Sequence, residues 1–400
     1  MSRILVTAAG VNSPLGCSVA EFMNGMQQQV YGIDHIKNFD TQFFPADFAA
    51  EVHENGRLVK TDSATDRKAL FINQAVRELI GKSPDFLSLP ANKRMLHLGA
   101  GMDHFDLVGY LNSADAQAGL WQKYCQPSDL IVTELAKLHH IEGGSSVNVS
   151  ACVASSQAMG LSFRILKQMS GIGIITGGFD SMLSPLHYMG FYKLGAFSQY
   201  QGEARHACRP FDKNRSGLVL GEGGVAFFMQ RAEDRQQDQP MMEICGYGCS
   251  MDAFNITDPH PQGTYLAQAG LQAIREAGLA PDDIDCVHTH GTGTSKNEIA
   301  EAKAMELIFS KRYREIPVFS LKAQIGHLIG ACGAMEMLGV WYSLDRQLVP
   351  ATLNFQDADP EIPLRVVKNE PLPFPINHIL KLNSGFGGQN TALVAKKYHE

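Results

Sequence analysis

Long apolar runs, a basic surplus and a disulfide spacing are all missing from this chain, and each absence removes a class of function. No stretch approaches ~18 uninterrupted apolar residues, the length that carries a helix across a bilayer, so the reading is a soluble protein without a membrane span. Lys and Arg number 34 against 41 Asp and Glu, a formal net charge of −7. A nucleic-acid binder needs a basic field to displace counterions from phosphates, and that role is set aside. The eight cysteines, at 17, 125, 152, 208, 245, 249, 286 and 332, are too dispersed for a disulfide framework and read as reduced thiols of a cytoplasmic protein. The opening apolar residues from Ile4 are broken by Asn12, Ser13 and Pro14, too early for a signal peptide. No low-complexity tract or short-period repeat occurs, and 44% hydrophobic against 19% charged residues is the composition of a folded globular chain.

A chain of 400 residues outgrows one hydrophobic core, which predicts two domains or a duplicated unit. Ile4 to Thr7 reads as a strand followed by a helix from Ser18 to Met26. Ser146 to Ser150 reads as another strand, leading into a helix from Cys152 to Gln168 with Ala154, Ala158, Leu161 and Ile165 on one face. The most polar stretch, Arg231 to Gln239, divides the chain into halves 1–238 and 239–400. The second half repeats the grammar: a helix over Leu266 to Ala277, a strand over Ile284 to Thr289, and a strand over Val318 to Lys322 leading into a helix that runs through Leu344. Val147 to Cys152 and Val318 to Lys322 echo one another as strands that deliver reactive residues to the start of a helix. Alternating strands and helices predict an α/β fold with largely parallel sheets.

Ser150-Ala-Cys-Val-Ala-Ser-Ser156 places a thiol among small residues where a strand becomes a helix. A helix N-terminus favours thiolate and would lower the Cys152 pKa; the same segment also suits an inert packing cysteine. His290-Gly-Thr-Gly-Thr294 follows a strand, and Gly326-His327 opens the segment that runs to Glu336, with Lys322 just upstream. One cysteine and two histidines, each at a strand-to-helix turn, make a nucleophile with two hydrogen-bonding groups. Gly99-Ala-Gly101 and Gly221-Glu-Gly-Gly224 do not complete a nucleotide-binding fingerprint and read as turns. Cys245 with Cys249, the pair His139 and His140, and His288 with His290 offer no complete four-ligand spacing, so no metal site is expected.

With these motifs in order, the chain resembles the chain-elongating β-ketoacyl-(acyl carrier protein) synthases of the thiolase superfamily along nearly its whole length. The resemblance rests on Ile4 to Gly16, the Cys152 segment, Arg209-Pro-Phe-Asp-Lys213 through Gly217 to Gly223, His290 to Thr294, Lys322 with Gly326-His327, and Gly385-Phe-Gly-Gly388. It implies a thiolase-like five-layered αβαβα sandwich of two similar halves. It further implies decarboxylative condensation of malonyl-ACP with an acyl group on Cys152, in fatty-acid or polyketide and polyene biosynthesis, with no cofactor and no metal. By the same resemblance His290 and His327 donate to the thioester oxygen, Cys152 and Phe386 N–H groups form the oxyanion hole, Phe386 is a gate, and Lys322 and Glu336 order the site. Arg67 and Lys68, opening a helix, and Arg209 match positions that dock the acidic acyl carrier protein.

The implied partners are that carrier and a second subunit, in a homodimer or in a heterodimer with a related ketosynthase or chain-length factor. Three departures bear on substrate choice. Ser384 stands where the family has Phe, Met102-Asp103-His104 replaces Ile-Gly-Gly beside the acyl pocket, and Ser295-Lys296 follows the His-Gly-Thr-Gly-Thr motif. Met102 and Ser384 are therefore the expected pocket residues. A non-catalytic chain-length factor would lack Cys152, and a thiolase would use a second cysteine as base.

Overall fold

The central strands of this chain are buried runs rather than alternating ones, because helices cover them. The computed structural model describes residues 2–44, 46–60 and 66–399. In chain order the main strands are β1 (Ile4–Asn12), β2 (Arg94–Ala100), β3 (Ser145–Val149), β4 (Gly173–Ser181), β5 (Glu222–Arg231), β6 (Met242–Met251), β7 (Cys286–His288), β8 (Pro317–Phe319), β9 (Arg365–Val366), β10 (His378–Gly385) and β11 (Gln389–Lys396). Every residue of β1 and β4 is buried, as expected of strands packed on both faces. The six helices that matter here are α1 (Arg67–Lys82), α2 (Ser128–Leu138), α3 (Ala154–Gln168), α4 (Thr264–Glu276), α5 (Asn297–Phe309) and α6 (Cys332–Arg346).

The sheet order β9-β8-β7-β10-β11-β6-β1-β5-β4-β2-β3 makes two half-sheets joined by the short antiparallel pairing of β1 with β6. In each half, two strands run parallel to the next one outward, β4 to β2 to β3 and β10 to β7 to β8. The order of strands mirrors about the β1/β6 join, so β3 and β8 are counterparts at equivalent places. Helices α3 and α6 pack on each other and on both half-sheets, α1 and α2 cover the outside of the first, and α4 with α5 covers the second. This is the αβαβα layering of the thiolase-like sandwich. The largest core lies around the central helices and joins Phe163 and Met229 of one half to Leu338 and Leu393 of the other. Outer cores centre on Ile72, Val76 and Leu96 in the first half, and on Ile274, Met305 and Leu380 in the second.

Helix α3 departs from the expected single apolar face. Ala154 and Ala158 are buried, but Leu161 is exposed, while Met159, Gly160, Phe163 and Leu166 are buried. As a middle layer, the helix buries most of its circumference; a side chain at Gly160 would strike the Tyr247 ring. No helix among the described residues is long and apolar enough to cross a membrane.

Candidate active site

Strand β3 ends at Val149, and Ala151 then adopts φ +49°, a left-handed turn that a non-glycine residue takes only under constraint. A short 3₁₀ turn over Ala151–Val153 follows, and α3 begins at Ala154 rather than at Cys152. The turn aims Cys152 into a cavity of about 300 Å³ lined by Phe191, Leu218, His290, His327, Ile329 and Phe386, among others. The second half repeats the device: beyond β8, Ile329 has φ +43° just before α6 starts at Cys332.

Two glycine runs that read as turns are close approaches instead. A side chain on Gly99 in β2 would lie 2.3 Å from the Ala154 backbone at the start of α3, and one on Gly221 would lie 2.2 Å from the Ile325 carbonyl. Bare backbone at these points lets the start of α3 pack on β2 and the His327 segment pack on Gly221, with His327 held by its own N–H on the Val219 carbonyl and by Gly221 N–H on its carbonyl.

Cys152, His290 and His327 are all buried, and their ligand-capable atoms lie within 4.8 Å of one another. The two imidazoles meet edge to face at 5.3 Å between centroids. Nδ1 of His327 accepts from the Ile329 N–H at 3.1 Å and has the Cys332 thiol 3.1 Å away. Nδ1 of His290 faces the Lys322 ammonium at 3.3 Å and the Asn383 amide at 3.1 Å. Burial, reinforced by Lys322, holds His290 well below the ordinary histidine range and takes His327 down to about 3. Both rings are therefore neutral, with Nδ1 occupied as an acceptor and Nε2–H left as donor.

The thiol does not follow the expectation of a lowered pKa. Burial pushes Cys152 up to about 11, against the opposing pull of Lys322 and of the Phe386 and Cys152 N–H groups that point at its sulfur. Desolvation of the thiolate outweighs the helix start. Those two N–H groups are the ones the family resemblance assigns to the oxyanion hole. Phe386 stacks on Phe191 at 6.3 Å, on a loop where Gly387 and Gly388 have φ +81° and +75°.

Lys322 and Glu336 form a buried ion pair behind His290, and Lys381 adds a second ammonium at 2.9 Å from Glu336. Burial pulls the Lys322 pKa down, but Glu336 prevails and raises it, and Glu336 itself is held well below the carboxylate range by Lys322 and Lys381 despite its burial. Two ammonium groups against one carboxylate leave one surplus positive charge beside the histidines. Beneath the His290 loop, Glu301 accepts from the His290 and Gly291 N–H groups, and Glu298 accepts from Gly293 N–H. The Cys152, His290 and His327 group has metal-ligand composition, but a metal on either Nε2 would send a proton to an Nδ1 already facing donors.

Other expected site residues fall as follows. Ser384 is buried, lines the cavity and hydrogen-bonds Asn390 at 3.0 Å. Met102 is half exposed and lies outside the cavity lining; its carbonyl accepts from Lys68 at 2.6 Å. Arg67 and Lys68, expected at the docking surface, are both buried, Arg67 on Glu222 and Lys68 beside Asp66. Arg209 is half-buried, donating to the His206 carbonyl at 3.0 Å with its guanidinium over Tyr200. Sequence reasoning missed Asn383, Lys381, Cys332 and Asp180. Asp180, raised to about 6 by burial, accepts from the Gly101 and Gly330 N–H groups and so ties β2 to the turn before α6. Cys332 lies within the Gly326-to-Glu336 segment and the other three belong to no motif with a fixed spacing, so only contacts expose what the four do.

Comparison with known proteins identifies the family. Residues 1–235 match the β-ketoacyl synthase N-terminal domain and residues 241–356 the C-terminal domain. The chain is 29% identical to a 3-oxoacyl-[acyl-carrier-protein] synthase 2 of Synechocystis and 28% identical to one of Staphylococcus aureus, each alignment covering 99% of this chain and 98% of the relative. Among solved structures, a β-ketoacyl synthase from Burkholderia phymatum superposes with a TM-score of 0.87 at 24% identity over the whole of both chains. A ketosynthase from Xenorhabdus doucetiae in complex with its chain length factor gives 0.80 at 22% identity, over 99% of this chain and 98% of that one. On its sequence matches to both domains and on this fold, the chain belongs to the β-ketoacyl synthase family of carbon–carbon bond-forming acyltransferases.

Proposed function

We propose that the protein condenses an acyl group held on Cys152 with a malonyl thioester, losing carbon dioxide, and that both substrates arrive on an acyl carrier protein. The observation that carries this reading is the pair of neutral imidazoles beside a buried thiol, each with Nδ1 engaged so that only an N–H donor is left to face substrate. In the first half-reaction the Cys152 sulfur attacks the acyl thioester carbonyl, whose oxygen sits between the Cys152 and Phe386 N–H groups. The thiol proton leaves with the displaced carrier thiol, so the exchange needs no preformed thiolate, consistent with a pKa pushed up to about 11.

In the second half-reaction the malonyl thioester oxygen accepts from Nε2–H of His290 and of His327. As the carboxylate leaves as carbon dioxide, negative charge grows on that oxygen, where the two donors and the surplus positive charge of Lys322 and Lys381 against Glu336 stabilise it. The enolate carbon attacks the acyl carbon, the sulfur of Cys152 leaves, and a β-ketoacyl thioester is released. Thr292 and Thr294, which line the cavity, suit hydrogen bonding to the carrier's polar arm, and Phe386 gates the second substrate. Ser384 widens and polarises the wall where the family places Phe.

Carrier docking is assigned to the cavity mouth, where exposed Lys296, paired with Asp258, lies on the rim, exposed Lys193 adjoins the lining residue Leu194, and the Arg209 backbone packs against Gly293 between Thr292 and Thr294. Strand β3 is a sheet edge, unpaired among the described residues, with exposed Val149, and this edge supports pairing with a second subunit. The two halves, 1–238 and 239–400, act as nucleophile-bearing and histidine-bearing units. Eight cysteines without a disulfide support a reducing cytoplasm. Cys332 lies outside the cavity lining, on the Nδ1 side of His327, so it does not serve as the substrate-facing base of a thiolase.

Intact-protein mass spectrometry and carbon dioxide release separate the half-reactions. Cys152→Ala should gain no acyl mass from any acyl-ACP. His290→Ala and His327→Ala should still acquire the acyl group but release carbon dioxide from malonyl-ACP about 10²-fold more slowly. Covalent acylation of the Cys152 variant, or wild-type decarboxylation by both histidine variants, would overturn the assignment.

A further inference from the structure

Asn383 is fully buried near the end of β10, and its side-chain amide touches three groups on three other segments. Ser156 Oγ lies 2.7 Å from Oδ1; Glu336 Oε2 lies 3.0 Å and His290 Nδ1 3.1 Å from Nδ2. The chemistry of the partners decides which end of the amide is which. Glu336, flanked by Lys322 and Lys381, is a carboxylate and only accepts, so the NH₂ end must face it. A hydroxyl can donate, and Ser156 does so to Oδ1. The NH₂ group has two hydrogens, one for Glu336 and one for His290 Nδ1. Lys322 Nζ, 3.3 Å from the same Nδ1, can likewise only donate. An Nδ1 met by two donors keeps its lone pair there, and the ring's single proton resides on Nε2.

We infer that Asn383 is a positioning residue for condensation. It fixes His290 as the Nε2–H tautomer and, through Ser156 on α3, holds that ring in register with Cys152 four residues earlier in the chain. The inference rests on the role proposed above for His290. It assigns Asn383 to the decarboxylation half-reaction alone, because acyl transfer to Cys152 uses backbone donors.

Two measurements test it. In wild-type protein labelled with ¹⁵N-histidine, the His290 ring, identified by loss of its signals in His290→Ala, should show the Nε2–H pattern; an Nδ1–H pattern would overturn the inference without any Asn383 variant having to fold. Asn383→Ala should release carbon dioxide from malonyl-ACP about 10- to 100-fold more slowly at unchanged KM, while acylating Cys152 within about threefold of wild type. Asn383→Asp, which puts an acceptor before Nδ1, should be slower still and move the ring toward Nδ1–H. Wild-type decarboxylation by Asn383→Ala, or equal loss of both half-reactions, would overturn it. Where His290→Ala and His327→Ala both decarboxylate normally, the proposed function fails; where only the Asn383 variants do, this inference alone fails.

Discussion

At the scale of single residues, Arg67 shows how burial overrides a surface-like pattern. A cationic pair at the start of a helix reads as solvated charge, but Arg67 Nε donates to Glu222 Oε2 at 3.0 Å, and the same carboxylate also accepts from Val52 N–H and Ser181 Oγ. Glu222 comes from the segment Gly221-Glu-Gly-Gly224, 155 residues away, a separation no local pattern spans. Breaking such a pair leaves an unpaired buried charge, which costs about 3–5 kcal/mol. Arg67→Ala should lower urea-unfolding stability by that amount, and Arg67→Ala with Glu222→Gln should recover part of it. A melt of Arg67→Ala that matches wild type would show the ion pair to be dispensable.

At the scale of elements, β3 has two edges with different work. Its inner edge pairs in parallel with β2, Leu98 opposite Val147, and this pairing points the strand at the Cys152 turn. The other edge has no strand partner among the described residues, and Ser145, Ser146 and Val149 of the strand are exposed. An unpaired edge with few charges is a template for a second strand, and a lysine on it opposes pairing. Ser146→Lys should shift the protein toward monomer in sedimentation velocity while leaving its circular dichroism unchanged. An unaltered sedimentation coefficient would place the subunit contact elsewhere.

At the scale of the whole molecule, buried titratable groups set the pH range of the fold. Burial, together with repulsion from Glu301, raises Glu298 to about 8, and burial raises Glu301 to about 7. A carboxyl raised in the folded state binds its proton more tightly there than when unfolded, so its contribution to stability falls as pH rises from the ordinary carboxylate range through the folded pKa. His288, His290 and His327 are lowered by burial, so their contribution is present above the unfolded pKa of about 6.5 and is lost as pH falls. The two sets oppose each other below pH ~6.5, and only the carboxyls act between there and pH ~8.5. The melting temperature should therefore decline across that upper window, and Glu298→Gln should flatten the decline. An equal slope in both proteins would remove Glu298 as its source.

The α/β class, the order of the motifs and the candidates Cys152, His290 and His327, which the fold brings together, were legible in the sequence, because strand-to-helix turns that expose a side chain demand small neighbours and leave a local record. The echo between Val147 to Cys152 and Val318 to Lys322 was legible for the same reason and corresponds to the mirrored strands β3 and β8. Tertiary structure alone decided what lies beside those residues. The raised thiol, the tautomers of the two histidines, the recruitment of Asn383 and Lys381, and the burial of Arg67 and Lys68 all depend on groups brought together from distant segments. Desolvation and hydrogen-bond partnership are properties of that enclosure: they act through space across α3, α6 and both half-sheets, and chain spacing carries no trace of them.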